Sequence, residues 1–149
     1  MKKLISIIFI LFLVGCSKGK YLTCDIDVEN NIQNYVMTGT YKIYYDNNYV
    51  KKIEKKEKYI SSDRSIINYF DEYKNLEYYN LKDLYGGIEY KINKNETSVN
   101  LNVNINLDLV DIKNMLKNGY INKDYIISNK LTTSGIVKFY ESKGAKCHI

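Results

Sequence analysis

The chain has 149 residues, 45% of them hydrophobic and 26% charged, which is the composition of one globular domain rather than of two or of a disordered chain. The formal charge of +5 falls to +3 once Lys2 and Lys3 leave with a cleaved leader, too weak a bias to imply a nucleic-acid partner. Sixteen tyrosines, abundant asparagine, and no proline or tryptophan follow AT-rich codon usage, so abundance alone carries no chemistry.

Lys2 and Lys3 form a short positive n-region, and Leu4 to Val14 (LISIIFILFLV) an uninterrupted apolar h-region. That run is too short for a membrane-spanning helix, which takes about 20 apolar residues. Leu13-Val14-Gly15-Cys16 resembles the lipobox of bacterial lipoproteins, in which small side chains admit the peptidase and a cysteine presents its thiol for lipid transfer. The expectation is a signal peptide over residues 1–15, lipidation at Cys16, a tether over 16–20 and one domain over 21–149. Cleavage of the first fifteen residues leaves 134 of the 149, enough for a hydrophobic core without metal staples. The expected partner is then a membrane, held through lipid on Cys16 at its extracytoplasmic face.

The next cysteine opens the folded region. Cys24, Ile26 and Val28 alternate with polar residues as in a half-buried strand, and Glu29-Asn30-Asn31 supplies a turn. Tyr35, Met37, Gly39, Tyr41, Ile43 and Tyr45 repeat the period of two. Asp46-Asn47-Asn48 is a hairpin turn, because Asp and Asn tolerate left-handed backbone. Tyr49 to Ile60 returns as a long charged strand. Its run Lys51-Lys52-Ile53-Glu54-Lys55-Lys56-Glu57-Lys58 mixes signs, which favours a charged strand protected against edge-to-edge pairing over a lipid-binding patch.

Ser61-Ser62-Asp63 starts a helix, with Ser62 or Asp63 as cap, and Ile66, Ile67, Phe70, Tyr73 and Leu76 form its inward face. This helix is expected to fade near Asn80, before the break at Gly86-Gly87. Ile88, Tyr90 and Ile92 predict a strand, turned by Asn93-Lys94-Asn95. From Val99 the alternation is clearest: Val99, Leu101, Val103, Ile105, Leu107 and Leu109 against Asn100, Asn102, Asn104, Asn106 and Asp108. Asp111 caps a short helix through Ile112, Met115 and Leu116 that stops at Asn118-Gly119. A loop with Tyr125, Ile126 and Ile127 leads to a last helix, capped by Thr132 or Thr133 and ended by Gly144. The order β-β-β-α-β-β-α-α predicts an α+β fold: a five-stranded antiparallel sheet with helices packed on one face.

Cys24 and Cys147 remain after Cys16 takes lipid. In an exported protein they are expected to pair, tying the first strand to the last turn. A metal site of Cys24, Cys147 and His148, or a nucleophilic thiol, is the alternative. Adjacent Cys147 and His148 rarely converge on one atom, and no fourth ligand stands out.

With its elements placed, the chain resembles the YehR-like family of small bacterial lipoproteins. The residues carrying the resemblance are the lipobox Leu13 to Cys16, Tyr21-Leu22-Thr23-Cys24, Val50-Lys51-Lys52-Ile53-Glu54, the alternating strand from Val99, and Phe139-Tyr140-Glu141-Ser142-Lys143-Gly144 with Cys147. The resemblance implies a single α+β domain on a membrane-attached lipoprotein, and supplies no catalytic residues.

Hydrolase, zinc-protease and phosphate-loop signatures are lacking, and the one histidine, His148, is penultimate, where chains fray. The expectation is therefore no catalytic residue, no metal and no cofactor. Asn100, Asn102, Asn104 and Asn106 form a row able to hydrogen-bond a sugar or peptide, but a solvated sheet face explains it. Tyr44-Tyr45-Tyr49 and Tyr78-Tyr79-Tyr85 offer stacking platforms, but are equally ordinary half-buried positions. Asn95-Glu96-Thr97 matches a glycosylation acceptor that has no meaning in a bacterial lipoprotein. Two functional classes follow: a binding module at the envelope for a protein, glycan or small ligand, and a structural lipoprotein without a ligand of its own. A deep apolar pocket rimmed by tyrosine favours the first, and a filled core with flat polar faces the second.

Overall fold

The hairpin predicted around Asp46-Asn47-Asn48 organises the structure, a computed structural model that describes residues 19–149. Asn47 and Asn48 both adopt positive φ (46° and 67°), the left-handed pair that a two-residue turn requires. The turn joins β2 (Tyr35–Asp46) to β3 (Tyr49–Ile60), with β1 (Lys20–Asn30) antiparallel on the other side of β2. β4 (Ile88–Lys94) and β5 (Ser98–Asn106) form a second hairpin, docked through β5 on β3. The last strand, β8 (Lys146–His148), pairs with Thr23–Asp25 of β1. The sheet order is β4-β5-β3-β2-β1-β8, and every pairing is antiparallel.

The expected five strands are thus six, because the segment around Cys147 is a strand rather than a turn. A two-stranded ribbon, β6 (Ile126–Ile127) with β7 (Lys130–Leu131), stands where a loop was expected. Ser128 and Asn129 turn it with positive φ. A 3-10 turn at Lys123–Tyr125 precedes it.

Three helices cover one face. In α1 (Arg64–Tyr85) the Asp63 side chain accepts from the Ser65 backbone N–H at 2.8 Å, closing an orphan donor of the first turn. The helix does not fade at Asn80 but runs to Tyr85, where Gly86 and Gly87 (φ 66° and 63°) break it. Its buried stripe is Ile67, Phe70, Tyr78, Leu81 and Tyr85, whereas Tyr73 and Leu76 are exposed, Leu76 to 62%. The sequence pattern misleads here because half-buried Lys74 and Glu77 occupy the middle of the stripe. α2 (Ile112–Lys117) is capped by Asp111, and α3 (Thr133–Ser142) by Thr132, whose hydroxyl accepts from Gly135 N–H at 3.0 Å.

Alternation along each strand sends one set of side chains under the helices and the other to water. Beneath α3 lie Leu22, Cys24, Tyr41, Ile43 and Ile53, with Ile136 and Tyr140 of the helix packed on them. Beneath α1 and α2 lie Ile88, Leu101 and Val103, with Tyr78, Leu81 and Met115 above. Ile105, Leu107 and Ile126 touch both clusters and mark the seam between them. Among the described residues no helix is long and apolar enough to cross a membrane.

Candidate functional site

β3 requires the largest correction to the sequence reading. It is a central strand between β2 and β5, so its charges do not guard an edge. Lys55 and Glu57 share the parity of Ile53 and Tyr59, and all four point under the helices. The Glu57 side chain is only 4% exposed and that of Lys55 16%.

Such charges persist in a core only when paired and hydrogen-bonded. Lys55 Nζ lies 3.3 Å from Glu57 Oε1 and donates to the Tyr78 hydroxyl at 2.6 Å. Tyr41 and Tyr59 donate their hydroxyls to the two Glu57 oxygens at 3.0 and 2.8 Å. Lys55 also sits over the rings of Tyr41 and Tyr78, 5.4 and 5.3 Å from their centroids, favourable positions for a desolvated cation. On α1, Lys74 pairs with Glu77 at 2.8 Å and covers the Tyr59 ring. Gly39, directly opposite Glu57 in the register, makes this possible: a Cβ there would come within 2.8 Å of Ile26 Cγ2 and 3.0 Å of the Tyr41 hydroxyl.

Burial opposes the Glu57 carboxylate, but the charges of Lys55 and Lys74 and the two tyrosine hydroxyls outweigh it and hold the carboxyl below its ordinary range. Burial likewise opposes the Lys55 ammonium, and the Glu57 charge carries it above the ordinary lysine value. Desolvation, reinforced by Glu57, pushes the Tyr41, Tyr59 and Tyr78 hydroxyls upward. At neutral pH Lys55 is therefore a cation, Glu57 an anion and the three phenols neutral.

Beside this cluster, on the seam of the two cores, lies a cavity of about 190 Å³. Its floor is Ile53, Ile88 and Ile105 of the sheet. Tyr78 and Leu81 of α1 form one wall, and Ile136, Phe139 and Tyr140 of α3 the other. Met115, Ile121 and Tyr125 close it from the segment between the helices, and Lys55, Glu77 and Tyr120 bring polar atoms to it. Tyr140 is 6% exposed, stacks on Tyr41 at 4.4 Å between centroids, and lines the cavity. Its hydroxyl makes no hydrogen bond among the described residues, while desolvation pushes its pKa up to about 12.

The residues singled out from sequence are dispersed. Cys24 and Cys147 stand opposite each other across β1 and β8 with their sulfurs 1.98 Å apart, at disulfide distance. Their Cα atoms are 3.9 Å apart, closer than is usual for a bridged pair. Cys16 lies outside the described residues. His148 belongs to β8 rather than a frayed end, yet is 62% exposed and 3.7 Å from Asp25. It lies on a broad groove of about 800 Å³ between α3 and β8, away from the charged cluster. Asn102, Asn104 and Asn106 are exposed on the uncovered face of the sheet and Asn100 is half-buried there, facing away from the cavity. The tyrosine groups split: Tyr78 and Tyr85 are core, Tyr79 is exposed, and Tyr44 packs against Tyr21 at 5.6 Å. Tyr41, Lys55, Glu57, Tyr120 and Tyr140 are scattered along the chain and carry no motif that marks them as a site. Strand parity was the available signal for Lys55 and Glu57.

The fold is similar to that of the NMR structure of the YehR protein of E. coli, with a TM-score of 0.55 over 87% of this chain and 92% of that one. The fold is YehR-like. A second NMR structure, of a protein from Streptococcus pneumoniae TIGR4, matches with a TM-score of 0.50 over 99% of this chain and 94% of that one. Identities of 18% and 13% make these likenesses of fold alone. No family model matches the sequence, and no curated protein is significantly similar to it. The YehR-like fold therefore supplies no ligand, and the cavity is read on its own chemistry.

Proposed function

We propose that this chain is a lipid-anchored, non-enzymatic binding module at the extracytoplasmic face of a bacterial membrane, with the cavity beneath α1 and α3 as its ligand site. Anchoring is supported by the h-region Leu4 to Val14 and by the lipobox-like Leu13 to Cys16. The tether of residues 16–20 spans at most about 18 Å, at roughly 3.3–3.6 Å per residue, so the lipid would hold the start of β1 close to the surface.

One observation carries the binding reading: an apolar cavity persists where two core clusters meet, with tyrosines from α1, from α3 and from the segment between the helices in its lining. Interiors are ordinarily filled to crystal density, so unfilled apolar space next to satisfied polar groups is the usual form of a ligand pocket. The charged cluster gives this pocket fixed walls rather than a reactive group. Lys55 and Glu57 are occupied by each other and by hydroxyls, and Glu77 by Lys74, so among the described residues the cluster presents no unpaired charge to the cavity. A structural lipoprotein without a ligand would need no such space.

The test is titration of isotope-labelled protein with ethylbenzene. Methyl signals of Ile53, Ile105 and Ile136 should move saturably while those of Val28 and Ile60 stay still. Unmoved cavity methyls would leave the cavity without a binding role.

A further inference from the structure

The reading of the cavity as a ligand site does not say what enters it; the polar groups around it do. Lys55 is matched by Glu57 and Lys74 by Glu77, so the walls carry no net charge to hold an ion. A charged ligand would lose its hydration and gain no counter-charge. An acidic or basic ligand is disfavoured on that ground.

Space is the second constraint. A cavity of 150 Å³ accepts benzene, so one of 190 Å³ has room for about eight heavy atoms. The third constraint is the Tyr140 hydroxyl. It belongs to a residue that is at least nine-tenths buried and lines the cavity, it lacks a hydrogen-bond partner among the described residues, and the oxygen itself is not sealed from a water-sized molecule. Tyr41, Tyr59 and Tyr78 differ from it, because each has its hydroxyl bound to Glu57 or Lys55. A buried phenol normally finds a partner, and an unmade bond there is filled by whatever occupies the adjoining space.

We propose that the cavity takes an uncharged molecule of about eight heavy atoms, an apolar body bearing one hydroxyl or carbonyl oxygen that accepts from the Tyr140 hydroxyl. The proposal rests on the cavity being a ligand site and adds its selectivity. Tyr140 is held for this role by its stacking on Tyr41. The apolar body of the ligand lies against Ile88, Ile105 and Met115 of the cavity lining.

Benzyl alcohol and ethylbenzene have the same heavy-atom count and differ by one hydroxyl in place of a methyl; benzoate adds a charge. Affinities are measured by methyl NMR on the full chain in lipid nanodiscs, where partitioning of each probe is the same for every variant. Tyr140→Phe retains the ring and its stacking, and an unchanged methyl spectrum without probe verifies the fold. The expected result is a loss of about fivefold to tenfold in benzyl alcohol affinity in Tyr140→Phe, the size of one neutral hydrogen bond, with ethylbenzene unchanged and benzoate not bound by either protein. Equal losses for both uncharged probes, no loss for benzyl alcohol, or benzoate binding as tightly as benzyl alcohol would overturn the proposed selectivity while leaving the cavity a binding site. Binding of none of the three to the wild-type chain would overturn the selectivity and the binding site together.

Discussion

Lys55 and Glu57 stand two residues apart on the inner face of β3, their charged atoms 3.3 Å from each other beneath the helices. Two consecutive inward positions of a central strand are thus given to opposite charges, and each charge depends on the other. Removing one partner leaves its fellow buried and uncompensated. Glu57→Gln should therefore destabilise the fold by about 3–5 kcal/mol. Lys55→Met with Glu57→Gln should cost less than the sum of the two single changes, because no charge is then stranded. Denaturant unfolding of the four proteins measures this. Additive losses would show that the pair is not coupled.

The pH dependence of stability follows from the same groups. The Glu57 carboxyl is held below its ordinary value, so its contribution is complete above the unfolded pKa of about 4.3 and is lost as pH falls through the folded value. Tyr140 is pushed the other way, to about 12 by desolvation, so its contribution is complete below about pH 10 and fades as pH rises towards 12. Stability should be flat between about pH 5 and 9 and decline on both sides. Glu57→Gln should make the acid limb shallower, and Tyr140→Phe should remove only its own share of an alkaline limb to which Tyr41, Tyr59 and Tyr78 also contribute. Thermal unfolding across pH tests both, and limbs unaltered by the substitutions would assign the dependence to other groups.

Cys24 and Cys147, 123 residues apart, face each other at disulfide distance across β1 and the edge strand β8. Besides the cysteine pair, β8 is registered on β1 through only two residue pairs, Thr23 with His148 and Asp25 with Lys146, so it is the element most dependent on a crosslink. Cys147→Ser should lower stability by roughly 2–5 kcal/mol, the range for loss of a native bridge closing a long loop. Hydrogen exchange should locate the loss, with Lys146–His148 and the facing Thr23–Asp25 opening first. Two free thiols in protein purified without reductant would contradict a formed bridge.

Lipidation at Cys16 is a separate expectation from the lipobox-like Leu13 to Cys16. Cells fed a fatty-acid analogue should label the wild-type chain and not Cys16→Ser, and the variant should leave the membrane fraction. Labelling of both would place the anchor elsewhere.

The legible parts of the fold are those governed by local rules. Val99 to Ile105 alternates without fault and is a strand; Asp63, Asp111 and Thr132 cap helices with side-chain oxygens; Asn47-Asn48 turns a hairpin. What escaped depends on partners far away in sequence. Lys74 and Glu77 hide the buried stripe of α1, because their charges read as surface until Tyr59 and the sheet are placed beside them. Lys146–His148 is too short to announce a strand and becomes one only through its register on β1. Lys55 and Glu57 look like solvent-facing residues by type, although their parity with Ile53 and Tyr59 says otherwise. The cavity was the least legible feature, since β3, β4, β5, all three helices and the segments between them each contribute to its wall.

Binding in the cavity is tested most directly by comparing thermal unfolding of the wild-type chain and Leu107→Phe, with and without ethylbenzene. Leu107 is half-buried and lines the cavity, so a phenyl ring in its place occupies part of the ligand's space. At a free concentration of about one hundred times Kd the wild type should gain roughly 5–10 °C in Tm. Leu107→Phe should begin no less stable, because it fills empty volume, and should gain little from the ligand. No rise in the wild type, or the same rise in both proteins, would contradict a ligand site at the seam of the two cores.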